Sequence, residues 1–382
     1  MKKSDTRTIK RDNTALVLRC LLCGADSRAQ IVEQTGLSKA TVTALVGELL
    51  DKGMLAETGS EGMGVGRPRT SLALVAGYAY AVGVVLHRKH LSVSLVNLAL
   101  SPVDTLSFAT ADFKTAEEAL EELYAGIRLL CERNGISAEQ LIGIGISAPG
   151  PLDFKEGVIL NPPGLSLFHR TRVTEFFAAR TALPVYLDNN ATLLAMHEKR
   201  KRQEELRHFT FIVVEDGIGS ASFEGGKLLR GMAGFAGELG HISVDEKGER
   251  CACGSIGCLE KMLSPAVLRA RFGLGSYHEI AEGVRRDASA AKDALAYVAA
   301  HFGRALAGLV NLLNPEAIVL YGELCEDKEI FFPPLKEELY RRSAVARASR
   351  LALMPSLLDE NARIACSADA ILGAYFAQKF SH

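Results

Sequence analysis

Four side chains able to hold a transition metal fall inside one short run, ELGHISVDEKGERCACGSIGCLE from Glu238 to Glu260. His241, Cys251, Cys253 and Cys258 stand in the order H-x9-C-x-C-x4-C. One imidazole and three thiolates suit a closed tetrahedral zinc site, with Gly254 and Gly257 easing the turns between them. A full protein shell leaves no position for a zinc-bound water, so such a metal would hold a loop in place and attack no substrate. Reduced, buried cysteines are the plainer alternative, but the run is polar and lacks the apolar periodicity that buries thiols. A disulfide is the other. The remaining five of the eight cysteines are scattered without a framework, which points to a reducing, cytoplasmic setting.

A second group of candidate residues is polar and lies where strands should end. Leu141 to Ser147 reads as a buried strand running into Ala148-Pro149-Gly150-Pro151, and loops beyond strand ends are the usual ligand edge of an α/β sheet. Asn161, in Asn161-Pro162-Pro163-Gly164, has both a donor and an acceptor for a sugar hydroxyl. The strand Val185-Tyr186-Leu187 is followed by Asp188-Asn189-Asn190, a carboxylate with two amides that reads as a polyol site or as a helix N-terminal cap. The basic run His87-Arg88-Lys89-His90 reads as a polar hairpin turn, with a functional patch as the alternative. Glu215-Asp216-Gly217-Ile218-Gly219-Ser220 is rich in glycine, but two carboxylates there repel a phosphate and argue against nucleotide binding.

The third group lies near the N-terminus. Leu16, Leu18 and Leu21 mark a first helix within Asn13 to Leu22; Ser27 with Gln30 has capping-box spacing for a short second helix that Gly36 ends. Ser38 can cap a third, Lys39 to Leu50, with Val42, Leu45, Val46 and Leu49 facing inward. A helix, a tight turn and a helix with small polar residues at its exposed start make Ser38, Lys39, Thr41 and Thr43 candidates for contacts in the major groove of double-stranded DNA. Gly59 to Gly66 and then Arg67-Pro68-Arg69 fit a wing that sets Arg67 and Arg69 against the DNA backbone or minor groove. A small protein-docking helical domain is the alternative.

The elements that must position these groups are bounded by length and composition. At 382 residues with a net charge of −1, the chain has room for two or three domains and no global charge that would coat nucleic acid or bind a membrane surface. Residues 1–70 alone carry a basic excess, eleven Lys or Arg against eight Asp or Glu. No signal-type segment opens the chain and charges interrupt the later apolar runs, so no membrane insertion is expected. Strands are expected at Ala81 to Leu86, Leu91 to Leu98, Phe209 to Val214, Ala221 to Phe223 and Ala317 to Leu320. Helices are expected at Thr115 to Cys131, Val173 to Arg180, Ala290 to Leu312 and Ala368 to Phe380.

Taken together, GISAPGPLD from Gly145 to Asp153, the LDNNA segment, EDGIGS, GELGH, CACGSIGCLE and NPEAIVLYGEL from Asn314 resemble the ROK family of bacterial sugar kinases and sugar-responsive transcription regulators. The resemblance covers almost the whole chain, and the N-terminal helices place it in the regulator branch. It implies a two-lobed actin/hexokinase-like α/β fold preceded by a mainly helical winged helix-turn-helix domain. The implied division is residues 1–75 for DNA binding, 76–188 with 366–382 for a small lobe, and 189–365 for a large lobe with the zinc site. It also carries a sugar-binding role to Asn161, Asn189, Glu238, His241 and Glu260, with Gly150 nearby and Asn190 as a further hydrogen-bonding candidate. Three kinase features are missing. The phosphate loop after the first strand is Val85-Leu86-His87-Arg88-Lys89, the base position holds Asn190, and the second phosphate motif is Glu215 to Ser220. An amide cannot take the hydroxyl proton that a kinase base must accept. The expectation is therefore a homodimeric, possibly tetrameric, repressor released from operator DNA by a sugar or sugar phosphate, with no catalysis. A kinase with an atypical base and a sugar-insensitive DNA-binding protein are the alternatives.

Overall fold

The computed structural model describes residues 6–61, 69–203 and 205–379. Three helices come first: α1 (Thr6–Leu22), α2 (Arg28–Thr35) and α3 (Lys39–Asp51). Helix α1 extends back beyond its apolar stripe, and its polar first half is tied to α3 by a 2.6 Å ion pair between Lys10 and Glu48. The Ser27 side chain caps α2 by accepting the Gln30 amide, while the Gln30 side-chain oxygen accepts from Asp26 at 2.8 Å and not from Ser27. Gly36 ends the helix at a φ of 68°, a left-handed conformation open to glycine at little cost. The inward face of α3 is Val42, Leu45, Val46 and Leu49, packed with Val17, Leu18 and Ile31. Strands β1 (Leu55–Glu61) and β2 (Arg69–Leu74) pair antiparallel behind it. Three helices followed by a two-stranded ribbon make a winged helix-turn-helix.

The chain then forms β3 (Tyr80–Leu86), β4 (His90–Asn97), β5 (Pro102–Ala109), α4 (Ala116–Asn134) and β6 (Leu141–Ala148). Short β7 (Leu152–Asp153), β8 (Val158–Ile159) and β9 (Thr171–Arg172) make a small sheet of their own, and α5 (Val173–Ala178), β10 (Val185–Asn189) and α6 (Asn190–Lys201) complete the run. The main sheet has the order β10-β6-β3-β4-β5. Its strands β3, β6 and β10 are parallel, and β4 and β5 antiparallel. Strands β3, β4 and β6 are buried along nearly their whole length, as strands covered on both faces must be, whereas β5 alternates half-buried and exposed as an edge strand does.

A second sheet, of order β13-β12-β11-β14-β15, follows from β11 (Phe209–Val214), β12 (Ile218–Glu224) and β13 (Lys227–Leu228). Then come α7 (Leu259–Met262), α8 (Pro265–Phe272), α9 (Tyr277–Arg285), α10 (Ser289–Leu313), β14 (Ala317–Gly322), α11 (Lys328–Arg342), α12 (Ala344–Ser349) and β15 (Ala352–Pro355). Helix α10 is long and apolar enough to cross a membrane by length and composition, contrary to the expectation of interrupted runs. Its buried face, Ala294, Val298, Phe302, Leu306 and Val310, is the spine of this unit's core.

The last helix, α13 (Ala362–Lys379), returns to the first sheet. A Cβ on Gly145 of β6 would meet the Ser367 carbonyl oxygen of α13 at 1.8 Å, so that glycine is what lets helix and strand touch. By contacts the chain divides into residues 1–203 with 359–382, and residues 204–358. Helix α6 thus stays with the first unit, past the 188/189 boundary read from sequence, because it packs on α13.

Candidate functional site

The metal cluster is built by a tight knuckle. The Cys251 amide donates to the Ser255 carbonyl at 2.8 Å, the Gly254 amide reaches the Cys251 carbonyl at 3.0 Å, and Cys258 then caps α7. A Cβ on Gly257 would lie 1.7 Å from the Asp245 carbonyl oxygen, so only glycine lets the knuckle close. The donor atoms of His241, Cys251, Cys253 and Cys258 all lie within 4.8 Å of one another. Cys251 Sγ is 3.7 Å from His241 Nδ1, and Cys253 Sγ is 3.6 Å from Cys258 Sγ. Disulfide sulfurs stand at about 2.0 Å, so these thiols are not bridged. Thiolates at about 2.3 Å around a tetrahedral ion sit about 3.8 Å apart, which these separations approach. Burial raises the Cys258 thiol, so a thiolate at that position calls for a cation beside it. The donor set fits a closed, four-coordinate metal.

The first unit gathers the strand-end residues. Val85 of β3 pairs with Ser147 of β6, and Asn189 of β10 with Ala148, so the carboxyl ends of three parallel strands share one edge. Ala148-Pro149-Gly150-Pro151 leaves that edge, with a cis bond between Gly150 and Pro151. Asn161 is exposed, and its Oδ1 lies 3.2 Å from His169 Nδ1, a neighbour the sequence offered no sign of. Asn189 caps α6: its Oδ1 accepts the Ala191 amide at 2.8 Å. Asn190 is the first residue of that helix and half-buried. Asp188 is turned in, accepting the Tyr186 hydroxyl at 2.6 Å and the Asn189 amide at 2.8 Å.

The other sugar candidates belong to the second unit. Glu260 accepts the Ile218 amide at 2.9 Å, which ties α7 to the start of β12. Glu238 is exposed as a residue yet lines a groove, and desolvation of its carboxyl, reinforced by the charge of Glu260, raises it. That groove, about 290 Å³, is lined mainly by apolar side chains such as Leu229, Leu239, Ile242, Leu309 and Leu312. The expected loop from Glu215 to Ser220 is shorter than read: β12 begins at Ile218, and the Glu215 amide closes a turn onto the Gly217 carbonyl at 3.0 Å. Ile218 and Ser220 are buried strand residues, which removes half of the supposed loop from any ligand.

At the DNA-binding candidates, Ser38 accepts the Thr41 amide at 3.1 Å, and the two hydroxyls are 2.9 Å apart. Lys39 and Thr43 are exposed on the same face of α3. Arg69 opens β2 opposite Glu61, while Arg67 lies outside the described residues.

An actin/hexokinase-like α/β fold with a helix-turn-helix in front of it, and a knuckle of one histidine and three cysteines in its second unit, defines a narrow class. The chain belongs to the ROK family, whose profile matches residues 83–364. It is 30% identical over 379 residues to the xylose repressor of Caldicellulosiruptor bescii, covering 93% of this chain and 94% of that one. It is 26% identical over 372 residues to the DNA-binding transcriptional dual regulator NagC of Escherichia coli K12, covering 93% and 91%. Among solved structures, a ROK family transcriptional regulator described as a homolog of the E. coli MLC protein matches with a TM-score of 0.78 at 23% identity, over 98% of this chain and 99% of that one. A ROK family glucokinase from Streptomyces griseus matches with 0.63 at 24% identity, over 76% of this chain and 99% of its own.

Proposed function

We propose that this protein is a sugar-responsive, DNA-binding transcriptional regulator, a repressor released from its operator when a sugar or sugar phosphate binds. One observation carries the reading: the capped, exposed start of α3 follows a tight turn in a helix-turn-helix joined to a ROK module. Repressors align with it over 93% of its length, whereas the glucokinase aligns over 76%. Ser38 and Thr41 position the helix, Lys39 and Thr43 face the groove, and Arg67 and Arg69 hold the wing against phosphates. Gly150, Asn161, Asn189, Asn190, Glu238, His241 and Glu260 are the sugar-binding set. The metal is zinc, held by His241, Cys251, Cys253 and Cys258, and its task is to fix the loop that carries Glu238 and Glu260. With Asn190 at the base position the protein transfers no phosphate. A homodimer presents two reading heads to a palindromic operator. Sugar binding acts through unequal affinity for two conformations.

The test is a gel-shift titration with the DNA upstream of the protein's own gene, repeated with a panel of sugars and sugar phosphates. Retarded DNA released by one of them is the expected result; no retardation, or retardation that no sugar alters, would overturn the repressor reading.

A further inference from the structure

We propose that α6 is the lever by which the sugar edge acts on the DNA-reading head, with Gln203 and Asp369 as the residues that position its far end. The inference rests on the sugar-sensor reading and adds the route from ligand to DNA-binding domain. It starts from the two ends of the first sheet. Val85 of β3, Ser147 of β6 and Asn189 of β10 close one end, where Gly150, Asn161 and Asn190 also belong. At the other end, Ala79 just before β3 and Ile142 at the start of β6 share one apolar cluster with Leu18 of α1, Leu45 of α3 and Ile371 of α13. The core of the winged helix-turn-helix is therefore continuous with the sheet, and the head is seated on this unit.

Helix α6 spans the distance between the two ends. Its twelve residues make a rod about 18 Å long, with Asn189 capping it at the sugar edge and Asn190 in its first turn. Its last turn is fixed on α13, where His197, at 2.9 Å, and Arg200 meet the Asp369 carboxylate. The Glu198 side chain, fully buried, accepts from Arg202 Nε at 2.6 Å and pins the residues that follow. Gln203 then donates its amide to the Arg200 carbonyl at 2.8 Å and turns its side chain to the head. A Cβ on Gly24 would stand 3.7 Å from Gln203 Nε2. Burial first lowers the Arg200 guanidinium, to about 10, and the charges that act on it come from Cys23 and Arg19 of the head as well as from Cys366 of α13.

The place that Gln203 touches is where a displacement would be felt. Gly24 lies in the turn between α1 and α2, where the Ala25 amide donates to the Cys20 carbonyl at 2.9 Å and the Leu72 amide of β2 donates to the Asp26 carbonyl at 2.7 Å. Ser27 then caps α2. One short turn thus ties together the first helix, a wing strand and the start of the second helix. Helix α13 supplies the fixed support. A Cβ on Gly83 would meet the Ile364 carbonyl oxygen at 2.9 Å, and one on Gly143 would meet Ile371 Cγ2 at 2.9 Å, so α13 sits against the sheet with no room to slide. A rigid element tied to a ligand at one end and to a packed domain at the other carries a shift between two arrangements of that domain. A sugar drawn against Asn189 and Asn190 moves the first turn of α6, and Gln203 passes the movement to the α1–α2 turn.

The test uses full-length protein, the DNA upstream of its own gene, and glucose, mannose, xylose, N-acetylglucosamine and the hexose 6-phosphates. Calorimetry gives sugar affinity, gel shifts give operator affinity with and without saturating sugar, and hydrogen exchange follows residues 23–27. In the parent, the sugar that binds should weaken operator binding about tenfold or more and change exchange at 23–27. Gln203 is exposed, so Gln203→Ala should keep the thermal melt and hold each separate affinity within about twofold. Its sugar-induced loss of operator affinity should shrink to about threefold or less, with exchange at 23–27 no longer responding. Asp369→Asn, compared at a temperature where it is folded, should lose the same coupling. A purely structural role would move the melt and leave that ratio alone. Parent-like release by sugar in both variants overturns the lever while the sensor reading stands, as does release in a parent whose exchange at 23–27 never changes. If no member of the panel alters operator binding by the parent, both readings fall.

Discussion

Cys251 Sγ stands 3.7 Å from His241 Nδ1, on the same knuckle that brings Cys253 and Cys258 to 3.6 Å. Distances of this order place four ligand atoms around one ion and leave no gap for water. The protein is expected to hold one zinc per chain, measured by atomic emission, and Cys251→Ser should lose it. Because the knuckle links β12 to α7 through the Glu260 to Ile218 bond, chelation should lower the melting temperature by several degrees and weaken sugar response in the same sample. Parent protein free of bound zinc would sink the assignment.

The metal knuckle was legible because its ligands are neighbours in the chain; spacing alone nearly specifies their geometry. The same holds for α3, whose buried face, Val42, Leu45, Val46 and Leu49, follows the helical period without interruption. Long-range relations left no such trace. Nothing local to Arg88 or Gly164 announces that one packs on the other, and α11 escapes a reading by pattern because Pro333 and Pro334, ordinarily breakers, lie inside it. The glycines from Gly217 to Gly219 read as a loop, but Ile218 between them and Ser220 beyond are buried in β12, where pairing with β11 outweighs local propensity.

Asn190 opens α6, and we propose that it stands at the place where a kinase of this family would need a base. Incubation with ATP and any sugar should give no phosphorylated product above background, by a coupled nucleotide assay. Asn190→Asp should not install activity either, since the turn at Glu215 to Gly217 is acidic and too short to cradle phosphates. Turnover by the parent protein that Asn190→Ala abolishes would restore the kinase reading.

Ser38 and Lys39 begin the same helix but should fail in different ways. Ser38 caps α3, so Ser38→Ala should cost about 1 kcal/mol of stability along with operator affinity. Lys39 is exposed, so Lys39→Ala should leave the melt unchanged while weakening operator binding about tenfold and flattening its salt dependence by about one unit. Comparing melts with gel shifts separates the two. A Lys39→Ala protein that binds operator like the parent would remove α3 as the reading helix.

Helices α6 and α13 are joined by a buried polar group, His197 and Arg200 on Asp369. The Arg200 and Asp369 side chains are 12% and 13% exposed. Asp369→Asn leaves Arg200 buried without its counter-charge and should destabilise the fold by about 3 kcal/mol or more, seen in denaturant unfolding. The histidine gives the same junction a pH dependence. Burial first, then the Arg200 and Lys201 charges, hold His197 down to about 3. Asp369 lies 2.9 Å from its Nδ1 and pulls the other way, but that carboxylate is matched by Arg200, so burial prevails. A free histidine titrates near 6.5, so between there and about 3 the unfolded chain holds a proton that the folded chain refuses. Stability should therefore fall as the pH drops below about 6.5, by up to ~1.4 kcal/mol per pH unit from this one group, and be level above it. His197→Gln should flatten that slope in unfolding curves taken from pH 7 to 5. A slope that survives the substitution unchanged would place its origin elsewhere.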